Sequence, residues 1–321
     1  MKLLEKLFEP WRRLVELFHE IGSAERLVRR VCLRGWGLFF FAILPFFMSA
    51  PTYGAENRPA NPALPSLFLI GDSTVRNGQG TGAGGQWGWG DFLAPFFDTN
   101  QINVVNRALG GTSSRTFYRD QWPRLVTSLK PGDFVIMQFG HNDSSAINDT
   151  NRARGTIRGV GEETQTITNL ITKKIEVVHS FGWYERQMIS EARAKGAAPM
   201  VCSLIPHNNW NVGRAVRNQR DYAGWAGDVA RMEKVPFLDI NEIIARQYDR
   251  LGQEKVNPLF IVGAGPHTSK AGAETNALCV VAALKGLKEN PLAHFFSDKA
   301  GGVTAADLSG PAPEKDKTAG Q

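Results

Sequence analysis

The sequence predicts an α/β protein, a three-layer sandwich in which a central parallel five-stranded sheet carries helices on both faces. Three observations predict it. Short apolar runs alternate along the chain with longer amphipathic ones. The short runs are apolar on successive residues, as strands covered on both faces must be. Three of them lead directly into polar, glycine-bearing turns, the punctuation that ends a strand.

In chain order, strands are expected at 67–70 (LFLI), 102–106 (INVVN), 133–138 (DFVIMQ), 199–204 (PMVCSL) and 236–240 (PFLDI). Helices are expected near 90–98, 115–128, 180–195, 217–233, 241–250 and 270–287, where apolar residues recur at helical spacing. The long stretch 144–179 is polar and rich in Gly and Thr, and reads as an ordered surface excursion beside the site. No internal repeat occurs. The expected organisation is a leader over 1–55, a linker over 56–65, one domain over 66–297 and a disordered tail over 298–321, where aromatic residues give way to Lys, Asp, Ala and Gly.

Eight Lys or Arg and five Glu fall within residues 1–35, so half of the formal net charge of +6 lies there. The rest is too weakly basic to argue for nucleic acid. An uncharged apolar run, 36–48 (WGLFFFAILPFFM), follows the basic segment. It is too short for a full membrane span and matches the apolar region of an export signal. A secreted or periplasmic protein is expected, attached to the membrane only if the leader stays uncleaved, and a monomer is the expected state. Hydrophobic residues make up 42% and charged residues 21%, ordinary values for a chain with a substantial core. Beyond Cys32 the chain has only Cys202 and Cys279, each in an apolar run, which read as two buried free thiols. No pair of Cys or His has metal-ligand spacing, so neither a metal nor another cofactor is expected.

In open α/β sheets, ligands bind beyond the carboxyl ends of the strands. The first strand runs into Gly71-Asp72-Ser73-Thr74, the second into Asn106-Arg107-Ala108-Leu109-Gly110-Gly111-Thr112-Ser113, and the third into Gly140-His141-Asn142-Asp143. A serine hydrolase needs a nucleophile, oxyanion donors and a base at one such edge. Ser73 would otherwise only cap a helix, Asn142 and Asp143 would only close a turn, and Gly110 and Gly111 would only permit one.

These three blocks, with Pro266-His267-Thr268-Ser269 near the end, resemble the four blocks of the SGNH/GDSL hydrolases, whose fold is flavodoxin-like. Within that superfamily the chain is most similar to the rhamnogalacturonan acetylesterases, carbohydrate esterase family twelve. That likeness rests on Gly88-Trp89-Gly90, Ser113-Ser114-Arg115, Pro206-His207-Asn208-Asn209-Trp210 and His267-Thr268-Ser269-Lys270. The resemblance implies a serine esterase acting on an acetylated polysaccharide. Ser73 would be the nucleophile and His267 its base, with the N–H groups of Ser73 and Gly111 and the amide of Asn142 as oxyanion donors. Asn208, Trp210 and Arg115 are candidate substrate-binding residues, with Arg119 and Arg152 further cations suited to carboxylates.

The last block departs from the family pattern. Three residues before His267 the family has an Asp, and here stands Ala264. Three readings follow: a backbone carbonyl near Gly263 or Ala264 holds the ring, an acid such as Glu274 or Asp239 folds into the gap, or the chain binds sugar with little catalysis.

Overall fold

In the computed structural model, residues 61–310 are described; the expected leader, the start of the linker and the end of the expected tail lie outside them. Nine strands are formed among these residues: β1 (Ser66–Gly71), β2 (Asn103–Asn106), β3 (Phe134–Gln138), β4 (Thr164–Thr168), β5 (Ile175–His179), β6 (Ala198–Cys202), β7 (Trp210–Asn211), β8 (Arg214–Ala215) and β9 (Phe237–Leu238). The main sheet has the order β2-β1-β3-β6-β9, with every pairing parallel. The β1 strand is buried along its whole length. Its alternating side chains feed two cores, as a doubly covered strand requires. Leu67 and Leu69 join one and Phe68 and Ile70 the other.

The second of those cores is covered by α1 (Ser114–Asp120), α2 (Trp122–Ser128), α3 (Phe181–Ala194) and α4 (Tyr222–Glu233). The first is covered by α5 (Ile240–Leu251) and α7 (Lys270–Gly286), with α6 (Gln253–Val256) between them in the chain. The helix expected over 115–128 is two. Pro123 lacks the N–H that a continuous helix would use and its ring clashes with the preceding turn, so the chain breaks at Gln121. The helix expected near 90–98 is a pair of 3₁₀ turns, Trp89–Phe92 and Ala94–Phe96, with Pro95 in the second. The last sheet strand is shorter than expected, because the Asp239 side chain instead accepts the N–H of Glu242 (3.2 Å) and caps α5.

Residues 298–310, expected as part of a disordered tail, are folded against the domain. Asp298–Gly301 forms α8, Ala306 N–H donates to Ala282 C=O (2.8 Å), and Lys285 Nζ donates to Ala300 C=O (2.9 Å). A polar composition hid these backbone bonds. Cys202 and Cys279 are buried and unpaired. Among the described residues no helix is long and apolar enough to cross a membrane.

The excursion after β3 holds an antiparallel hairpin, β4–β5, whose Asn169 side chain accepts the N–H groups of Ile171 and Thr172. Arg115 ties it down. This candidate substrate-binding residue is fully buried. Its Nε pairs with Glu176 at 2.8 Å, and its Nη1 donates to the carbonyls of Ile147 (2.7 Å) and Gly155 (2.8 Å). The expectation of substrate contact is therefore corrected. A buried guanidinium needs internal partners, and three groups of the excursion supply them. Burial alone would raise the Glu176 carboxyl, but bonds from Arg115 and Asn169 hold it down at about 2. Arg115→Ala is expected to lower stability by about 3 kcal/mol, read as a lower urea midpoint. Unchanged stability with a selective loss of substrate affinity would restore the binding role.

Candidate active site

In this strand order β2 lies on one side of β1 and β3 on the other, so the connections on leaving β1 and β2 run in opposite directions across the sheet. The crevice where such connections diverge is where α/β folds bind ligands. The turns after β1, β2 and β3 all end there. Gly71 closes β1 because a Cβ at that position would lie 2.4 Å from the Gln138 carbonyl oxygen of β3.

A buried chain of hydrogen bonds then fixes the Ser73 turn. Trp89 Nε1 donates to Gln138 Oε1 (2.8 Å), Gln138 Nε2 to Thr74 Oγ1 (2.6 Å), and Thr74 Oγ1 to Asp72 Oδ1 (2.7 Å). The Thr74 N–H also reaches Asp72 Oδ1 (2.8 Å). Burial pushes the Asp72 carboxyl up to about 6 in spite of the bonds from Thr74. Two backbone bonds, from Trp89 N–H to Thr74 C=O and from Gly90 N–H to Val75 C=O (both 3.0 Å), fasten the turn to the 88–90 segment.

Ser73 Oγ lies 2.8 Å from His267 Nε2, across 194 positions of sequence. With the ring neutral and its proton on Nδ1, the hydroxyl donates to Nε2, the arrangement a general base requires. Among the described residues no acceptor takes the backbone N–H of Ser73 or of Gly111. Gly111 has φ of 83°, which favours glycine. Its neighbour Gly110 packs on Ser73, since a Cβ there would stand 3.5 Å from Ser73 Cβ. Asn142 Nδ2 donates one hydrogen to Thr112 C=O (2.8 Å), which leaves its second for a ligand. Asp143 does more than close a turn. It accepts the Ser114 N–H (3.1 Å), the Ser114 hydroxyl (2.5 Å) and the Gly140 N–H (3.1 Å), and so joins the β3 turn to the start of α1. Burial pushes its carboxyl up to about 7.

His267 is held by its backbone. Its carbonyl accepts the Ile261 N–H (3.0 Å), and its neighbour Thr268 bonds Trp87 through both backbone (3.0 Å) and hydroxyl (2.9 Å). Among the described residues Nδ1 has no hydrogen-bond partner. The Ala264 carbonyl, one expected partner of the ring, faces the His267 backbone N–H instead (3.4 Å). Neither proposed acid fills the gap: Asp239 caps α5, and Glu274 stands on α7 opposite Lys270 (3.9 Å). The arrangement is a Ser–His dyad without a carboxylate.

Asn208 and Trp210 are bound to each other. Asn208 Oδ1 accepts the Trp210 indole N–H (2.7 Å), and Asn208 Nδ2 donates to Asn257 Oδ1 (3.0 Å). Asn208, Asn257, Phe260 and the following loop to Gly265 line a cleft of about 390 Å³ on the segment that leads to His267. Trp210 does not line it. The indole packs on the first core instead, so Trp210, a candidate substrate-binding residue, contributes nothing to that cleft. Arg119 pairs with Asp120 (2.7 Å) and Glu176 (3.2 Å). Sequence reasoning missed the supporting roles of Gln138, Thr74 and Arg154; the last donates to the Gly111 carbonyl at 2.8 Å. A polar Gln at the end of an otherwise apolar strand was the available signal for the first. Among the described residues no three His, Cys, Asp or Glu side chains cluster to hold a metal ion.

The model of the GDSL-like lipase/acylhydrolase family matches residues 69–274. The chain belongs to that family and is a carboxylic ester hydrolase. It is 29% identical over 214 residues to the rhamnogalacturonan acetylesterase of Emericella nidulans, covering 66% of this chain and 81% of that one. It is 30% identical over 229 residues to the probable rhamnogalacturonan acetylesterase YesY of Bacillus subtilis, covering 70% and 92%. The crystal structure of YxiM from Bacillus subtilis superposes with a TM-score of 0.56 at 24% identity, over 69% of this chain and 56% of that one, and shows the shared fold.

Burial lowers the pKa of His267, and no carboxylate raises it. The base acts when neutral, so lowering its pKa extends activity toward acid. The acid limb of a kcat/KM–pH profile is expected below the ordinary histidine value of 6.5. A limb above that value would mean that an anion pairs with the ring.

Proposed function

We propose that this acetylesterase removes acetyl groups from a pectic polysaccharide of the rhamnogalacturonan type through an acetyl-Ser73 intermediate. The observation that carries the chemistry is the 2.8 Å contact of Ser73 Oγ with His267 Nε2 beside two N–H groups without internal acceptors. The substrate class is supported by the two acetylesterase relatives.

In this reading Ser73 Oγ attacks the acetyl carbonyl while His267 Nε2 takes its proton. The carbonyl oxygen becomes an oxyanion held by the N–H groups of Ser73 and Gly111 and the free amide hydrogen of Asn142. Collapse breaks the bond to the sugar oxygen, which leaves with the proton from His267. Water, deprotonated by the same ring, then releases acetate and regenerates Ser73. Nε2 thus takes a proton in each attack and returns it to the leaving oxygen in each collapse. In triads, altering the carboxylate lowers kcat about 10⁴-fold; here the backbone pairing of the 260–268 loop takes over part of its positioning task.

Acetylated pectin and 4-nitrophenyl acetate test this. Acetate release from both is expected, with loss of at least about 10³-fold in Ser73→Ala. Release that survives Ser73→Ala rejects the nucleophile. Hydrolysis of the nitrophenyl ester but not of pectin, or a preference for octanoyl over acetyl esters, rejects the substrate class in favour of other acyl esters.

We also propose that the protein works outside the cytoplasm, in the periplasm or beyond, on the strength of the basic segment and apolar run over residues 1–48. Cell fractionation with N-terminal sequencing tests it. An exported chain beginning near Pro51 or Glu56 is expected, and a full-length chain in the cytoplasmic fraction rejects it.

A further inference from the structure

Gly111 forms one wall of the site, and the segment 149–155 of the excursion runs beside it. A Cβ on Gly111 would stand 2.9 Å from Nη1 of Arg152 and 3.7 Å from Nη1 of Arg154. The two guanidinium groups differ in their commitments. Arg154 is part-buried and occupied, by the Gly111 carbonyl (2.8 Å) and the Ser145 hydroxyl (3.1 Å). Arg152 is exposed, and among the described residues its guanidinium has neither an ion pair nor a hydrogen-bond acceptor.

The backbone under Arg152 is nevertheless built with care. Asp149 Oδ1 accepts the N–H groups of Asn151 (3.0 Å), Arg152 (2.6 Å) and Ala153 (2.8 Å). Ala153 is buried with φ of 42°, a left-handed conformation that an alanine adopts only when its surroundings impose it. Two like charges therefore stand side by side at the site, and burial together with the charge of Arg152 lowers the pKa of Arg154. Asp72, Asp143 and Asp149 offset part of the Arg154 charge from a distance, but among the described residues no carboxylate pairs with either guanidinium: Asp72 is bound to Thr74, Asp143 to Ser114 and Gly140, and Asp149 to the backbone N–H groups of 151–153. An anion from outside would relieve the repulsion, and a planar guanidinium fits a carboxylate bidentately.

We propose that Arg152 receives a carboxylate of the substrate, on a uronate ring that carries or adjoins the acetylated sugar, and so selects anionic over neutral glycan esters. The assignment rests on the reading of Ser73 as an acetylesterase nucleophile and adds a specificity-determining residue to it. It places the carboxylate on the Gly111 side of the scissile ester.

Two measurements test it. The first compares kcat/KM on an acetylated oligogalacturonate with free carboxylates and on its methyl-esterified counterpart. The native protein is expected to prefer the free acid about tenfold or more, the worth of one charge-assisted contact. Arg152→Gln is expected to bring the ratio to within about twofold of one, and Arg152→Lys to fall between, because Lys keeps the charge and loses the fork. The second is calorimetry with unacetylated oligogalacturonate, whose binding is expected to weaken about tenfold in Arg152→Gln and with added salt. A ratio unmoved by Arg152→Gln overturns the proposal. So does an equal loss on both esters, which would mark Arg152 as a support for the oxyanion or the fold. Failure of the underlying reading looks different: oligogalacturonate binding that depends on Arg152, in a protein that hydrolyses neither ester, would keep the carboxylate site and remove the acetylesterase.

Discussion

The site depends on one constraint, the anchoring of the turn that follows β1. Four side chains from three places in the sequence, Asp72 and Thr74, Trp89, and Gln138, form an unbroken buried chain of hydrogen bonds beneath Ser73. A buried polar group left without its bond is costly, so each link of this chain resists being broken. It sets the Ser73 hydroxyl at the sheet edge and leaves the Ser73 N–H without an internal acceptor. The neighbouring turns take their places from it. Gly110 packs on Ser73 Cβ, and Gly71 has no Cβ because the carbonyl of Gln138 occupies that space.

The base is positioned by a different device. A histidine with a carboxylate behind it has its tautomer and its orientation held together. Here Ala264 removes that acid, and the ring is placed through the backbone of residues 260–268, which pairs with Trp87 on one side and with itself on the other. The electrostatic result is a base with a lowered pKa, because burial disfavours the charged ring and no anion opposes that. A dyad of this kind trades stabilisation of the imidazolium for availability of the neutral ring.

The polar excursion between β3 and α3 is fixed to the domain from beneath and reaches Gly111. Arg115, buried beneath it, binds three of its groups and so carries the segment onto the body of the domain. The same segment delivers Arg154 to the Gly111 carbonyl and Arg152 to the wall beside it. A buried arginine on α1 and an exposed one on the loop thus do opposite things. The first has all its partners inside the protein, while Arg152 has none among the described residues.

The sheet was legible before folding, because strands with apolar residues on successive positions must be buried on both faces. Ser73, Gly111, Asn142 and His267 were legible as candidates through their resemblance to the family's four blocks, and folding brings Ser73 Oγ to 2.8 Å from His267 Nε2. What the sequence left open were distances between positions far apart in the chain. An arginine looks the same in sequence whether it meets Glu176 in the interior, as Arg115 does, or faces solvent, as Arg152 does. Asn208 and Trp210 looked like substrate contacts, and only folding showed them bonded to each other. The partner of His267 Nδ1 was undecidable for the same reason: local sequence names the residues a loop contains, while tertiary packing decides which atoms they meet.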